Sequence, residues 1–142
     1  MDQTTQTVRL RHADYELMLG EARKQAPNEA CGLVAGNDED GVRIIKKVYL
    51  LTNTDRSPEH FSLDPKEQLA AIKDMRQNGL TPLGNWHSHP VTPPRPSEED
   101  KRLAFDKNAT YFILSLADGT PVLNAFHIEG AESRKENLVI AE

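Results

Sequence analysis

Apolar positions along this chain switch between two spacings, and the switches mark the elements. Thr7–Leu10 is a short β-type run. It leads into a helix from about Ala13 to Gln25, where Tyr15, Met18, Leu19, Ala22 and Ala26 recur at the i, i+3, i+4 interval of a buried stripe. Asp14 and Glu16 in the first turn suit the positive end of the helix dipole. Pro27 and Asn28 stop it. Cys31–Ala35 is short and apolar and reads as a strand. Asn37–Gly41 is polar with a terminal glycine, hence a turn. Val42–Leu51 is rich in β-branched residues and pairs naturally with the strand before it. Thr52–Glu59 reads as a loop and His60–Leu63 as a short strand.

The next helix is marked at both ends. Asp64 can cap it, Pro65 suits its first position, and Glu67 completes a capping box. Leu69, Ile72 and Met75 would form its buried side, and Gly79 ends it. Pro82–His89 reads as a strand. Val91–Pro96 is a proline-rich loop that cannot continue a sheet. Ser97 can cap a helix running to about Lys107. Thr110–Ala117 is a strand, Asp118-Gly119 a hairpin turn, Val122–Glu129 the returning strand, and Asn137–Ile140 a last strand. Strands alternate with helices only in part, and one clear hairpin is present. The pattern predicts an α/β fold in which helices flank a mixed sheet in three layers.

Length and composition narrow the class. The chain has 142 residues, enough for one domain spanning 1–142 with its own core. Hydrophobic residues make up 37% and charged residues 27%, a globular balance. A net charge of −5 argues against a nucleic-acid partner, whose phosphates need a basic surface. Cys31 is the lone cysteine, so no internal disulfide can form, which fits a reducing compartment. The N-terminal MDQTTQTVRL has no apolar signal region, and no run of about 18 apolar residues would span a membrane. A cytoplasmic location is expected.

The chemistry concentrates in Trp86-His87-Ser88-His89-Pro90 and Ser97-Glu98-Glu99-Asp100. Residues i and i+2 of a strand share a face, so His87 and His89 project together while Trp86 and Ser88 point away. Two imidazoles on one face suit a divalent metal, zinc first. Prolines 90, 93, 94 and 96 stiffen a loop that can swing the next helix back over the strand end. Asp100 would then supply a third ligand and leave a position for water, the catalytic pattern. The water needs a base, and Glu29, at a helix-to-strand junction, is the candidate.

Plainer readings stand beside these. His87 and His89 also fit two ordinary strand histidines. Ser97 and Asp100 fit a capping box, which is compatible with ligation. Glu29 fits a solvated loop carboxylate, Trp86 and Cys31 fit core residues, and Glu98-Glu99 fit a first helical turn. His12, His60 and His127 show no partner pattern and read as structural or surface groups.

Together these residues resemble the JAMM signature of the MPN-domain metalloproteases: an upstream Glu, then H-x-H, seven residues, S, two residues, D. Here that is Glu29, His87-Ser88-His89, Pro90 to Pro96, Ser97 and Asp100. The segment Pro27-Asn28-Glu29-Ala30-Cys31-Gly32-Leu33 also looks like the family's segment around its catalytic Glu. The resemblance implies the MPN fold, a single mixed central sheet flanked by helices on a cytidine-deaminase-like three-layer scaffold. It implies one zinc per chain on His87, His89 and Asp100, with Glu29 as general acid/base and Ser97 stabilising the oxyanion. Ser88 and Pro90 would support geometry. The chain lacks the long insertions of eukaryotic ubiquitin-chain-cleaving members and looks like the short prokaryotic ones. Those are associated with ubiquitin-like sulfur-carrier proteins, so the resemblance implies hydrolysis after a Gly-Gly tail. Two alternatives compete. One is a non-catalytic scaffold module with structural or no metal. The other is a zinc deaminase, disfavoured because the P-C-x-x-C pair it expects is missing.

Overall fold

In a computed structural model, residues 6–142 are described. The N-terminal stretch Met1–Thr5, read above for targeting signals, lies outside them. The chain order is β1 (Thr7–Arg11), α1 (His12–Gln25), β2 (Cys31–Glu39), β3 (Val42–Leu51), α2 (Pro65–Gln77), β4 (Thr81–His89), α3 (Glu98–Arg102), β5 (Thr110–Ser115), β6 (Val122–Glu129), β7 (Glu132–Lys135) and β8 (Asn137–Ala141). All the strands join one sheet in the order β7-β6-β5-β4-β2-β3-β1-β8. β4 runs parallel to β5, and β1 runs parallel to both β3 and β8. β2 is antiparallel to β3 and β4. The expected mixed sheet is therefore present.

Helices cover both faces. On one, Met18, Leu19 and Ala22 of α1 pack with Val8, Leu10, Val34, Trp86, Phe112 and Leu114. Ala26 is exposed because the helix has already ended. On the other face, Ala71 and Met75 of α2 pack with Leu33 and Ala35. Leu69 points outward at 56% exposure, because the narrow buried stripe of α2 is centred on Ala71, Ile72 and Met75. No helix among the described residues is long and apolar enough to cross a membrane.

Several elements differ from the sequence expectation for reasons of distant contact. The β2–β3 turn narrows to Asp40 and Gly41, both at positive φ (52° and 80°), the two-residue hairpin that matches strand twist. Asp64 caps α2 by accepting from Lys66 N, but Glu67 forms no capping box. Its carboxylate instead accepts from Thr52 N (2.7 Å) and Thr52 Oγ1 (2.8 Å). His60–Leu63 makes only one bridge, Asn53 to Leu63. α3 stops at Arg102 rather than near Lys107, because Asp106 is held from β5: its N–H donates to Tyr111 Oη (3.2 Å) and its carbonyl accepts from the same hydroxyl (3.0 Å).

The close contact that seats the future site lies at Gly32. Trp86 Nε1 donates to Tyr49 O (3.1 Å) across it. A Cβ at Gly32 would meet Tyr49 O at 1.8 Å and Trp86 Nε1 at 2.4 Å. One atom is a ladder carbonyl and the other a fully buried indole, so neither can move cheaply. Gly32→Ala is expected to cost about 3 kcal/mol and lower the Tm by roughly 10 °C. A thermal melt within about 2 °C of wild type would contradict this.

Candidate metal centre and cleft

β4 carries its two histidines to the sheet's end as the alternation of a strand requires. Trp86 enters the core on one face. His87 and His89 lie on the other, each 3% exposed. Ser88, fully buried, locks the neighbouring chain: Ala30 N donates to its Oγ (2.8 Å) and its own N donates to Ala30 O (3.0 Å). That grip holds the stretch before β2 beside the histidines, and Glu29 is in it.

The donor atoms converge. His87 Nε2 and His89 Nε2 are 3.1 Å apart, and Asp100 Oδ2 lies 3.2 Å from the first and 3.1 Å from the second. Local sequence places Asp100: Ser97 Oγ accepts from Asp100 N (3.0 Å), and Asp100 Oδ2 accepts from Ser97 N (2.9 Å). The capping-box and ligand readings are thus two aspects of one geometry. His89 Nδ1 lies 2.8 Å from Pro93 O. A carbonyl oxygen can only accept, so Nδ1 carries the hydrogen and the lone pair of neutral His89 sits on Nε2, facing His87 and Asp100. The His87 ring stacks on Phe61 at 4.7 Å, and its Nδ1 is buried without a partner among the described residues.

These residues fit a divalent metal. A tetrahedral ion with bonds of about 2.0–2.1 Å separates its ligand atoms by about 3.3 Å, close to the observed triangle. The chemistry agrees, since two imidazole nitrogens and a carboxylate oxygen this close repel unless a cation or proton lies between them. Burial keeps His87 below its ordinary pKa, as a neutral ligand requires. Burial works against protonation of His89 too, but its bonds to Asp100 and Pro93 O outweigh it and raise the pKa. For Asp100 burial opposes ionisation, yet hydrogen bonds from both histidines and Ser97 N hold the carboxyl far below the usual range. Cys31 is not part of the converging group. Burial, with help from nearby carboxylates including Glu29, pushes its thiol up to about 12, so it is a core residue.

Beside the triangle lies a cleft of about 440 Å³ lined by Glu29, His60, His89, Val91, Ser97 and Arg102, among others. Glu29 is 4% exposed. Burial pushes its pKa up to about 8; His89 pulls it back and Asp100 adds to the rise. Ser97 accepts from Asp100 N but, among the described residues, its own hydroxyl hydrogen has no acceptor, so it is free to donate into the cleft.

The raised pKa of Glu29 has a measurable sign. A carboxyl whose pKa rises on folding stabilises the native state below its ordinary value of 4.5, and that contribution is lost as pH climbs through about 8. Glu29→Gln removes the cost of ionising it there. In metal-stripped protein the variant should match wild type near pH 4 and exceed it above pH 8, by about 2–4 kcal/mol. Urea melts across that range check this; a difference that stays flat with pH would contradict it.

Two cleft residues escaped sequence reasoning. His60, read as a structural or surface group, pairs through Nδ1 with Glu99 Oε1, read as a helix-start charge. The Glu99 hydrogen bond raises the pKa of His60. These positions are 39 residues apart, and no spacing motif links them.

Residues 12–129 match the family described as prokaryotic homologs of the JAB domain, and the chain belongs to that family. It is 36% identical over 101 residues to a CysO-cysteine peptidase of Mycobacterium tuberculosis, covering 71% of this chain and 68% of that one. It is 34% identical over 111 residues to a "Probable TtuB-protein conjugate cleaving protease" of Thermus thermophilus, covering 77% and 68%. A solution structure of a protein from Desulfitobacterium hafniense matches with a TM-score of 0.87 at 51% identity, covering 95% and 93%.

Proposed function

We propose that this chain is a single-domain zinc metallopeptidase or isopeptidase that hydrolyses the amide bond after the C-terminal Gly-Gly of a ubiquitin-like or sulfur-carrier protein. The observation that carries the reading is the meeting of His87 Nε2, His89 Nε2 and Asp100 Oδ2 within 3.1–3.2 Å, beside a cleft that also holds the buried carboxyl of Glu29. The substrate class is supported by the names of the two relatives above, a peptidase for a CysO-cysteine species and a protease for TtuB-protein conjugates.

His87, His89 and Asp100 would hold one zinc. Bound there, zinc supplies Lewis acidity toward the scissile carbonyl and the attacking water. Glu29 takes the water's proton as the C–O bond forms and delivers it to the departing nitrogen as the C–N bond breaks. Burial raises its pKa above the ordinary carboxylate range, and a bound dication would bring it back toward neutrality, where one group can both accept and return a proton. Ser97 donates its free hydroxyl hydrogen to the carbonyl oxygen as negative charge develops there. The narrow Gly-Gly tail would suit an extended strand added beside the sheet.

Mass spectrometry tests this. Gly-Gly-tailed carriers bearing a C-terminal cysteine or a lysine-linked protein are incubated with the zinc-loaded protein. We expect about one zinc per chain and loss of the mass beyond the Gly-Gly terminus. A zinc-loaded protein that cleaves neither adduct refutes the reading and favours a scaffold role.

A further inference from the structure

Glu29 precedes β2 and is not held by the sheet's ladder. Its N–H donates to Ser57 O (2.8 Å), and its carbonyl accepts from Asn53 Nδ2 (3.0 Å). Both of its main-chain polar groups are therefore anchored on the segment that joins β3 to α2. Asn53 is 9% exposed and organises that segment. Its Nδ2 also donates to His60 O (2.9 Å), and its Oδ1 accepts from Asp55 N (3.0 Å) and Ser62 N (3.2 Å). All four bonding positions of the amide are filled. The same segment stacks Phe61 on His87 and pairs His60 with Glu99.

We propose that Asn53 is a positioning residue that fixes Glu29 at the cleft, acting through the main chain of Glu29 and not by touching substrate. The inference rests on the role given to Glu29 above. Its physical basis is the combination Asn53 must satisfy: two carbonyls that need donors and two N–H groups that need acceptors. A primary amide at this reach supplies both. Aspartate offers only acceptors, and an apolar residue offers neither. Connecting loops are usually mobile. Here one buried side chain ties the loop to itself and to the residue whose proton transfer requires placement to a fraction of an ångström.

Asn53→Asp separates the two halves of the amide. It keeps Oδ1 for Asp55 N and Ser62 N, and loses donation to Glu29 O and His60 O. In the zinc-loaded protein, amide exchange at Glu29 should quicken about tenfold or more, while amides of β4 keep their protection. On a carrier–cysteine adduct, kcat should fall about 10–100-fold, with KM and zinc content within about twofold of wild type. In a Glu29→Asp background, where the carboxylate is already displaced, the same change should cost under about threefold. Unchanged exchange at Glu29, or an equal loss in both backgrounds, overturns the proposal. Should Asn53→Asp fail to fold, Asn53→Ser, which adds no charge but gives up both donors and the reach of Oδ1, is put through the same exchange and double-variant comparison, with the same outcomes deciding. If zinc-loaded wild type cleaves no carrier, the proposed function fails, while exchange at Glu29 still decides the positioning claim.

Discussion

Glu29→Gln is expected to keep the metal and lose hydrolysis, with kcat down about 10³–10⁴-fold. The substitution is nearly isosteric, and the bonds that hold residue 29, to Ser57 O and from Asn53 Nδ2, are made by its main chain. The variant should therefore occupy the same place. Burial there already favours an uncharged side chain, as the pKa of about 8 shows, so a neutral amide is well tolerated. What the amide cannot do is accept a proton from water and return it to the departing amine. Glu29 is not among the three converging donors, so zinc content should stay near one per chain. Metal analysis and turnover on a carrier–cysteine adduct are measured on the same sample. A variant that turns over at the native rate places the proton transfer elsewhere.

The parts of this site legible in the sequence are those set by short-range rules. Strand alternation put His87 and His89 on one face and Trp86 on the other. The strands Val42–Leu51 and Val122–Glu129 have the bounds their patterns predicted. The pairing of Ser97 with Asp100 followed from their three-residue spacing. What stayed hidden depends on partners far away in the chain. Glu67 looked like the second half of a capping box, but Thr52 offers it two donors and takes it away from the helix start. The helix capped by Ser97 was expected to run to about Lys107, yet the Tyr111 hydroxyl binds both main-chain groups of Asp106 and keeps that residue out of it. β7, Glu-Ser-Arg-Lys, has no apolar alternation because it is an exposed edge with nothing to bury. His60 and Glu99 are unremarkable alone and meet only after folding. Asn53 looks like any loop residue until its amide is seen to join Glu29 to His60.

Asp100 joins local and distant requirements in one side chain, and its two simplest variants should separate them. Oδ2 accepts from Ser97 N and faces both imidazole nitrogens. In Asp100→Asn the side-chain oxygen can still accept from Ser97 N, so the start of α3 should survive. The neutral amide, however, supplies no negative charge to a dication and is a poor ligand beside two histidines. Zinc content should fall toward zero and turnover drop at least about 10³-fold, because the Lewis acid is lost together with its chemistry. The zinc-dependent rise in Tm expected of wild type should be absent as well, since a ligand stabilises only a fold that binds it. Asp100→Ala should lose the same metal and activity and, relative to Asp100→Asn, about 1 kcal/mol more of metal-free stability, because Ser97 N loses its acceptor. The comparison that matters is between the two variants without zinc. Equal metal-free melting temperatures would show that the cap contributes nothing measurable. Full zinc and full turnover in Asp100→Asn would mean that this carboxylate, for all its proximity to the two rings, is not what holds the metal, and the proposed hydrolase would lose its third ligand.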